Sequence, residues 1–236
     1  MIESEALPVA NVRWPAAVRI IRSLYPPIDL FEDIADPADW PRLLAAEQKT
    51  NPRLAASIGN LDLVPPGRRV SGPGASYVMA PFVHATPDRP SRFSAGAFGV
   101  LYAGDAFETA LFETIHHHAR FMAATAEAPG WTSQFREILL DVDARLADLR
   151  GRPGDPTLDP DHYGAAQALG ARLKAAGSEG IVYPSVRYRA GECVGLFYPD
   201  LAQNPRQGRH LDYHWNGARV DYVRDAGTRR VFSVAA

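Results

Sequence analysis

The sequence predicts a mixed α+β fold. Short apolar runs that read as strands are interleaved with single helical segments, and the last quarter of the chain is a succession of strands. A doubly wound sheet would alternate strand and helix throughout. No internal repeat or low-complexity tail disturbs this pattern.

The elements follow in order. Val18, Ile20, Ile21 and Leu24 make a short apolar segment over residues 14–24, helix or strand, that stops at Pro26-Pro27. Asp36 to Ala56 read as helical and are split by Pro52. The Pro/Gly-rich stretch Pro65 to Gly74 then closes a helical extension, residues 1–74, packed on a core of residues 75–236. That core opens with a strand over Ala75 to Phe82, a loop containing Pro87 and Pro90, and a buried strand within Phe98 to Ala103. A long helix runs from about Asp105 to Ala124, with Asp105 as N-cap and Glu108 completing a capping box. Phe135 to Leu149 is extended, because Ile138, Leu140 and Val142 alternate with charged residues. Tyr163 to Ala176 is helical and ends at Gly177. Strands near 180–184, 193–198, 210–215, 219–223 and 230–234 complete the chain.

At 236 residues, 46% hydrophobic and 22% charged, the composition is that of a soluble globular enzyme with one substantial core. A net charge of -2 argues against direct nucleic-acid binding. Of the 25 basic residues only Lys49 and Lys174 are lysine. The arginine bias suits bidentate phosphate recognition, and a GC-rich genome produces it equally well. Cys193 is the single cysteine, which excludes an intrachain disulfide and a thiolate metal cluster. Met1 to Asn11 lack a secretory pattern, and no apolar run reaches the roughly 18 residues of a membrane span, so a cytoplasmic location without membrane contact is expected.

Several side chains carry chemistry. Glu113 falls two turns into the long helix among Ala110, Leu111, Phe112 and Ile115, where a lone carboxylate is costly unless it is paired or used. Arg92 approaches the buried strand, and its guanidinium fork suits a pyrophosphate. Arg19 is a second candidate, with Arg89, Arg68 and Arg69 as weaker ones. Tyr102 can stack on a base while its hydroxyl reaches a ribose or phosphate, and a strand tyrosine serves equally as core. Ser185 lacks a G-x-S-x-G elbow, so it reads as a ligand-binding hydroxyl and not as a nucleophile. In His116-His117-His118 at most two rings share a face and no H-E-x-x-H pattern exists, so no metal site is expected; His117, four residues after Glu113, borders or orients it. Asp141 and Asp143 read as a solvated strand edge. Gly72-Pro73-Gly74 lacks the Lys-Ser/Thr of a phosphate-binding loop.

Arg92-Phe93-Ser94, Tyr102, Thr109 to Glu113, Gln167 to Gly170 and Gly180 to Ser185, in this order, resemble the RES family, over about Arg19 to Tyr213. The resemblance implies an ADP-ribosyltransferase-like split β core with flanking helices and a cleft for NAD as co-substrate, with no metal. It assigns Glu113, Arg92 and Tyr102 to catalysis, and Arg19, Arg92, Tyr102 and Ser185 to NAD binding. It further implies a toxin of a toxin–antitoxin pair that breaks the nicotinamide–ribose bond and transfers ADP-ribose to a protein acceptor. Transfer to phosphate or water, which would deplete NAD, is the alternative, and a non-catalytic NAD- or partner-binding module is a third. The implied partner is a cognate antitoxin protein that occludes the cleft. Two departures stand out: more than 70 residues separate Arg19 from Arg92, where many members have two close arginines, and Glu192-Cys193 falls where those members carry Asn.

Overall fold

The computed structural model describes residues 7–24, 27–32, 36–47, 49 and 57–234. It is a mixed α+β structure built on one eight-stranded sheet. Two long antiparallel strands, β1 (Val9–Arg22) and β3 (Trp131–Asp148), form its spine. β3 is shared. One edge pairs with β1 from Phe135 to Ala147, while the other pairs first with β6 (Ala202–Trp215) and then, at Ala147 and Asp148, in parallel with β4 (Gly180–Pro184). From β4 the pairings run through β5 (Glu192–Leu196) to β2 (Leu101–Gly104) and return to β1 at Val18↔Gly104. On the far side β7 (Val220–Asp225) and β8 (Val231–Ser233) continue from β6. The fold is mixed α+β, as the sequence pattern predicts, and its core is split along β3, as the resemblance implies.

β1 resolves the open reading of residues 14–24 as strand, and it corrects the view of residues 1–74 as a helical extension. Its pairing with β3 makes it part of the core sheet. A bulge between Trp14 and Ala17 contains Pro15, which has no N–H to give the ladder. The extra residue switches the inward row from Ala10, Val12 and Trp14 to Ala17 and Ile21. Arg19 falls in that new row.

Four helices cover the sheet among the described residues. Helix α1 (Trp40–Glu47) agrees with the helical reading of Asp36 to Ala56; the second piece of that segment, after Pro52, lies outside the described residues. α2 (Ala75–Val83) replaces the strand expected over Ala75 to Phe82. The run has no period-2 alternation, and a uniformly apolar segment fits a buried helix as well as a buried strand. Glu32 caps it by accepting from the backbone N–H groups of Gly74 (2.6 Å) and Ser76 (2.9 Å), which ties the early segment to the core. Trp40, Phe31, Met79 and Phe82 fill the core beneath.

α3 (Phe107–Ala123) packs on β1, β3, β6 and β7 through Ala110, Leu111, Ile115 and Met122. Its N-cap is Ala106, not Asp105, whose carboxylate instead accepts from Thr109 Oγ1 at 2.6 Å. α4 (Gly164–Ala175) lies on β4 and β5 and ends with Gly177 in the left-handed region at φ 77°, as expected. Asp141 lies between paired strands and meets Arg206 of β6, whereas Asp143 is exposed, past the end of the β6 pairing, and meets Arg13 of β1.

His118, on α3, is 4% exposed and lies against Phe121, Phe135 and Tyr213. Burial lowers its pKa to about 4. Between that value and about 6.5 the unfolded chain binds a proton that the folded chain does not, so stability falls as pH drops through this window. His118→Leu should lose less stability between pH 7 and pH 4.5 in denaturant melts than the parent. An equal loss would remove His118 from the acid response.

Candidate active site

The loop before β2 is folded back on itself by hydrogen bonds. Ser91 N–H donates to the Ser94 carbonyl at 2.8 Å, and Gln167 of α4 donates its amide N–H to the Ser91 carbonyl at 3.0 Å. The Tyr102 hydroxyl donates to Ser91 Oγ and accepts from the Phe93 backbone N–H, both at 2.9 Å. Burial pushes the phenol up to about 12, so it stays protonated. Tyr102 lines the cleft with its hydroxyl already bonded to Ser91 and Phe93, and so does not offer the free hydroxyl expected from the sequence.

This turn presents Arg92, 7% exposed, to a cleft of about 720 Å³. Its Nη1 donates to the carbonyls of Asp159 (2.8 Å) and Thr157 (3.4 Å), and its guanidinium lies over the Tyr163 ring at 4.5 Å. Arg19 enters from β1 and donates to the Tyr102 carbonyl at 3.0 Å, while its buried Nε has no protein partner. Burial lowers the Arg19 pKa to about 10, which still leaves it cationic near neutrality. Among the described residues, both guanidinium groups contact neutral acceptors and no carboxylate. A desolvated cation costs several kcal/mol, by rough estimate, unless an anion meets it.

Glu113 faces the same cleft from the second turn of α3. Its Oε1 accepts from the Ser185 hydroxyl at 2.6 Å and lies 4.0 Å from Cys193 Sγ. Ser185 in turn accepts from the backbone N–H groups of Arg187 (3.2 Å) and Tyr188 (3.0 Å). Ser185 sits behind the carboxylate and does not line the cleft, so its contact is with Glu113. Burial pushes the Cys193 thiol up, and it remains a neutral wall. Glu192 turns away to Arg150, at 2.9 Å.

The structure thus brings Arg19, Arg92, Tyr102 and Glu113 to one cleft across the long gap in sequence. Arg68 instead pairs with Asp200, Arg69 donates to the Val64 and Leu61 carbonyls, and Arg89 is exposed outside the cleft. His117 and Arg120 follow Glu113 by four and seven residues and line the cleft, as do Asp161 and Tyr163. Helical spacing from Glu113 makes Arg120 legible in the sequence; Asp161 and Tyr163 lie in a loop whose position only the fold supplies. Burial, opposed by Glu113 and aided by Arg187, Arg92 and Arg120, holds the His117 pKa below its ordinary value. Among the described residues no group of three or more His, Cys, Asp or Glu is arranged to hold a metal ion.

The RES domain family model matches residues 66–216, a span that includes Arg92, Tyr102, Glu113 and Ser185 but not Arg19. The chain is 26% identical over 207 residues to the protein y4oC of Sinorhizobium fredii, across 87% of this chain and 85% of that protein. It is also similar to a chain in the crystal structure of the M. tuberculosis MbcT–MbcA toxin–antitoxin complex. There the TM-score is 0.45 at 13% identity, covering 86% of this chain and 87% of that one.

Gly170 lets α4 lie directly on the Arg92 turn: a Cβ there would stand 2.0 Å from the Phe93 carbonyl oxygen. Overpacking costs typically about 1–3 kcal/mol, against about 1 kcal/mol gained by Ala over Gly in a helix. Gly170→Ala should lower the denaturant midpoint with an unchanged m-value. Equal or greater stability would mean that α4 and the turn separate freely.

Proposed function

From the premise that this chain belongs to the RES domain family, we propose that its cleft binds NAD and that the protein is a toxin that cleaves the nicotinamide–ribose bond and transfers ADP-ribose to a protein acceptor. One observation carries the reading. Among the described residues, two guanidinium groups without carboxylate partners share a cleft with a carboxylate already oriented by a serine hydroxyl. Arg19 and Arg92 suit the pyrophosphate, which a planar fork engages bidentately. Glu113 suits the nicotinamide ribose.

As the C–N bond breaks, its electron pair leaves with nicotinamide, which departs neutral, and positive charge develops on the ribose. Glu113 is placed to stabilise that charge and to accept from a ribose hydroxyl. The acceptor then attacks the anomeric carbon and loses a proton. Ser185, bonded to Oε1, fixes the carboxylate before substrate arrives. An antitoxin protein is the partner proposed to occlude the cleft.

A specific observation favours a second reading. Arg120 is exposed at the rim on the Glu113 helix, and it suits an anionic acceptor such as phosphate. Incubation with labelled NAD, with and without phosphate and cell lysate, separates the outcomes. Label on a protein band supports transfer to protein; phosphate-dependent small products support NAD depletion. Intact NAD would leave only a binding module.

Glu113→Ala should fold normally and lose about 3–4 kcal/mol of barrier lowering, roughly a hundred- to thousandfold in rate. A stable variant with parental NAD cleavage would refute the role. Arg92→Lys should bind NAD nearly as poorly as Arg92→Ala, measured by calorimetry, because an ammonium cannot reproduce the fork. Full affinity in the Lys variant would shift the phosphate contact to Arg19.

A further inference from the structure

Residues 155–163 form a strap along the cleft. A single-turn 3₁₀ helix (Pro156–Leu158) is capped by Asp155, and Asp159 then accepts from the backbone N–H groups of Asp161 (2.8 Å) and His162 (2.7 Å). Asp161 and Tyr163 face the cleft. Two arginines hold this strap. Arg92 binds the Thr157 and Asp159 carbonyls. Arg187 binds the Pro160 carbonyl through Nη2, which also lies 3.5 Å from Asp161 Oδ1.

Arg187 does not line the cleft, yet its side chain is only 16% exposed and its ion pair reaches a residue that does. Its own backbone N–H donates to Ser185 Oγ, the hydroxyl that holds Glu113. Its neighbour Tyr188 stacks on Phe112 of α3, with ring centroids 5.3 Å apart and planes 5° from parallel. A continuous set of bonds therefore joins the Glu113 carboxylate, through Ser185 and Arg187, to the strap that orients Arg92.

We propose that Arg187 is a positioning residue that sets the strap, and with it the Arg92 guanidinium, at a fixed place relative to Glu113, so that it governs the affinity of the cleft for its dinucleotide. The consequence for NAD rests on the function proposed above. Without Arg187 the strap keeps its turn but loses its anchor at Pro160. The guanidinium and the Tyr163 ring against it then sample more orientations. Pyrophosphate contacts persist from bound substrate to transition state, so weakening them raises KM and leaves kcat nearly unchanged.

Two measurements on the full chain test this. The first is hydrogen exchange of residues 158–162 without ligand, in the parent, Arg187→Lys and Arg187→Ala, each checked for a native thermal transition. Exchange should be fastest in Arg187→Ala and intermediate in Arg187→Lys, which keeps one donor for the Pro160 carbonyl. The second is steady-state NAD cleavage. Arg187→Ala should raise KM roughly tenfold or more with kcat within about twofold, and Arg187→Lys should recover part of the loss. Unchanged exchange in Arg187→Ala overturns the anchoring role. A fall in kcat at constant KM overturns the assignment to binding and puts Arg187 at the reacting centre. A parent protein that leaves NAD intact refutes the proposed function, and the exchange data still decide the strap. Should Arg187→Ala fail to fold, the Lys variant decides both points, since parental exchange and KM in it would overturn the proposal.

Discussion

The pairing of β1 with β3 is the constraint on which the site depends. Twelve residue pairs register the two strands, and one bulge resets the face that β1 turns inward. That reset puts Arg19 in the inward row, beside the end of β2, where it meets the Tyr102 carbonyl. The same β3 exchanges β6 for β4 along its other edge, and this split brings β2, β5 and β4 round to close on β1 at Val18↔Gly104. The cleft opens beside that closure, between α3 and the Arg92 turn.

Electrostatics give the cleft its polarity. Several arginines elsewhere meet carboxylates: Arg150 with Asp148 and Glu192, Arg206 with Asp141, Arg224 with Asp212. In the cleft Arg19 and Arg92 bind carbonyl oxygens, which orient a guanidinium without cancelling its charge. Glu113 is held by a hydroxyl on the same principle. Groups oriented by neutral partners keep their charge for a ligand, and that preorganisation lets fixed charges act without rearranging.

Much of this was legible in the sequence. Residues 180–184, the long helix around Glu113, the extended run after Phe135 and the Gly177 stop all have local signals, and local signals survive folding. The strand read into Ala75 to Phe82 failed because nearly every residue of the run is apolar whichever way it faces, so the half-buried face at Tyr77, Ala80 and Pro81 leaves no polar signal of helical period. Arg19 could be named from resemblance, but its partnership with Arg92 depends on pairing between strands more than a hundred residues apart. The Tyr102 hydroxyl and Ser185 illustrate a further limit: residue type indicates that a group can bond, and only geometry shows that one closes a turn and the other holds Glu113. Arg187 carried no local signal at all, because its role lies in carbonyl contacts with a distant loop.

The two departures from compact relatives now have physical readings. The long gap after Arg19 is filled partly by α1, α2 and the Glu32 cap, which pack over the core cluster that β1 and β3 line. At the position where the resemblance implies an Asn, Glu192 pairs with Arg150 while Cys193 supplies a neutral wall beside Glu113. On the proposed function, the two poles of the cleft divide one dinucleotide between them. A crystal structure of the Glu113→Gln variant soaked with NAD should show pyrophosphate oxygens about 2.7–2.9 Å from both the Arg19 and Arg92 guanidinium groups, with the nicotinamide ribose against residue 113. Dinucleotide bound with its pyrophosphate away from both arginines, or its ribose away from residue 113, would contradict it.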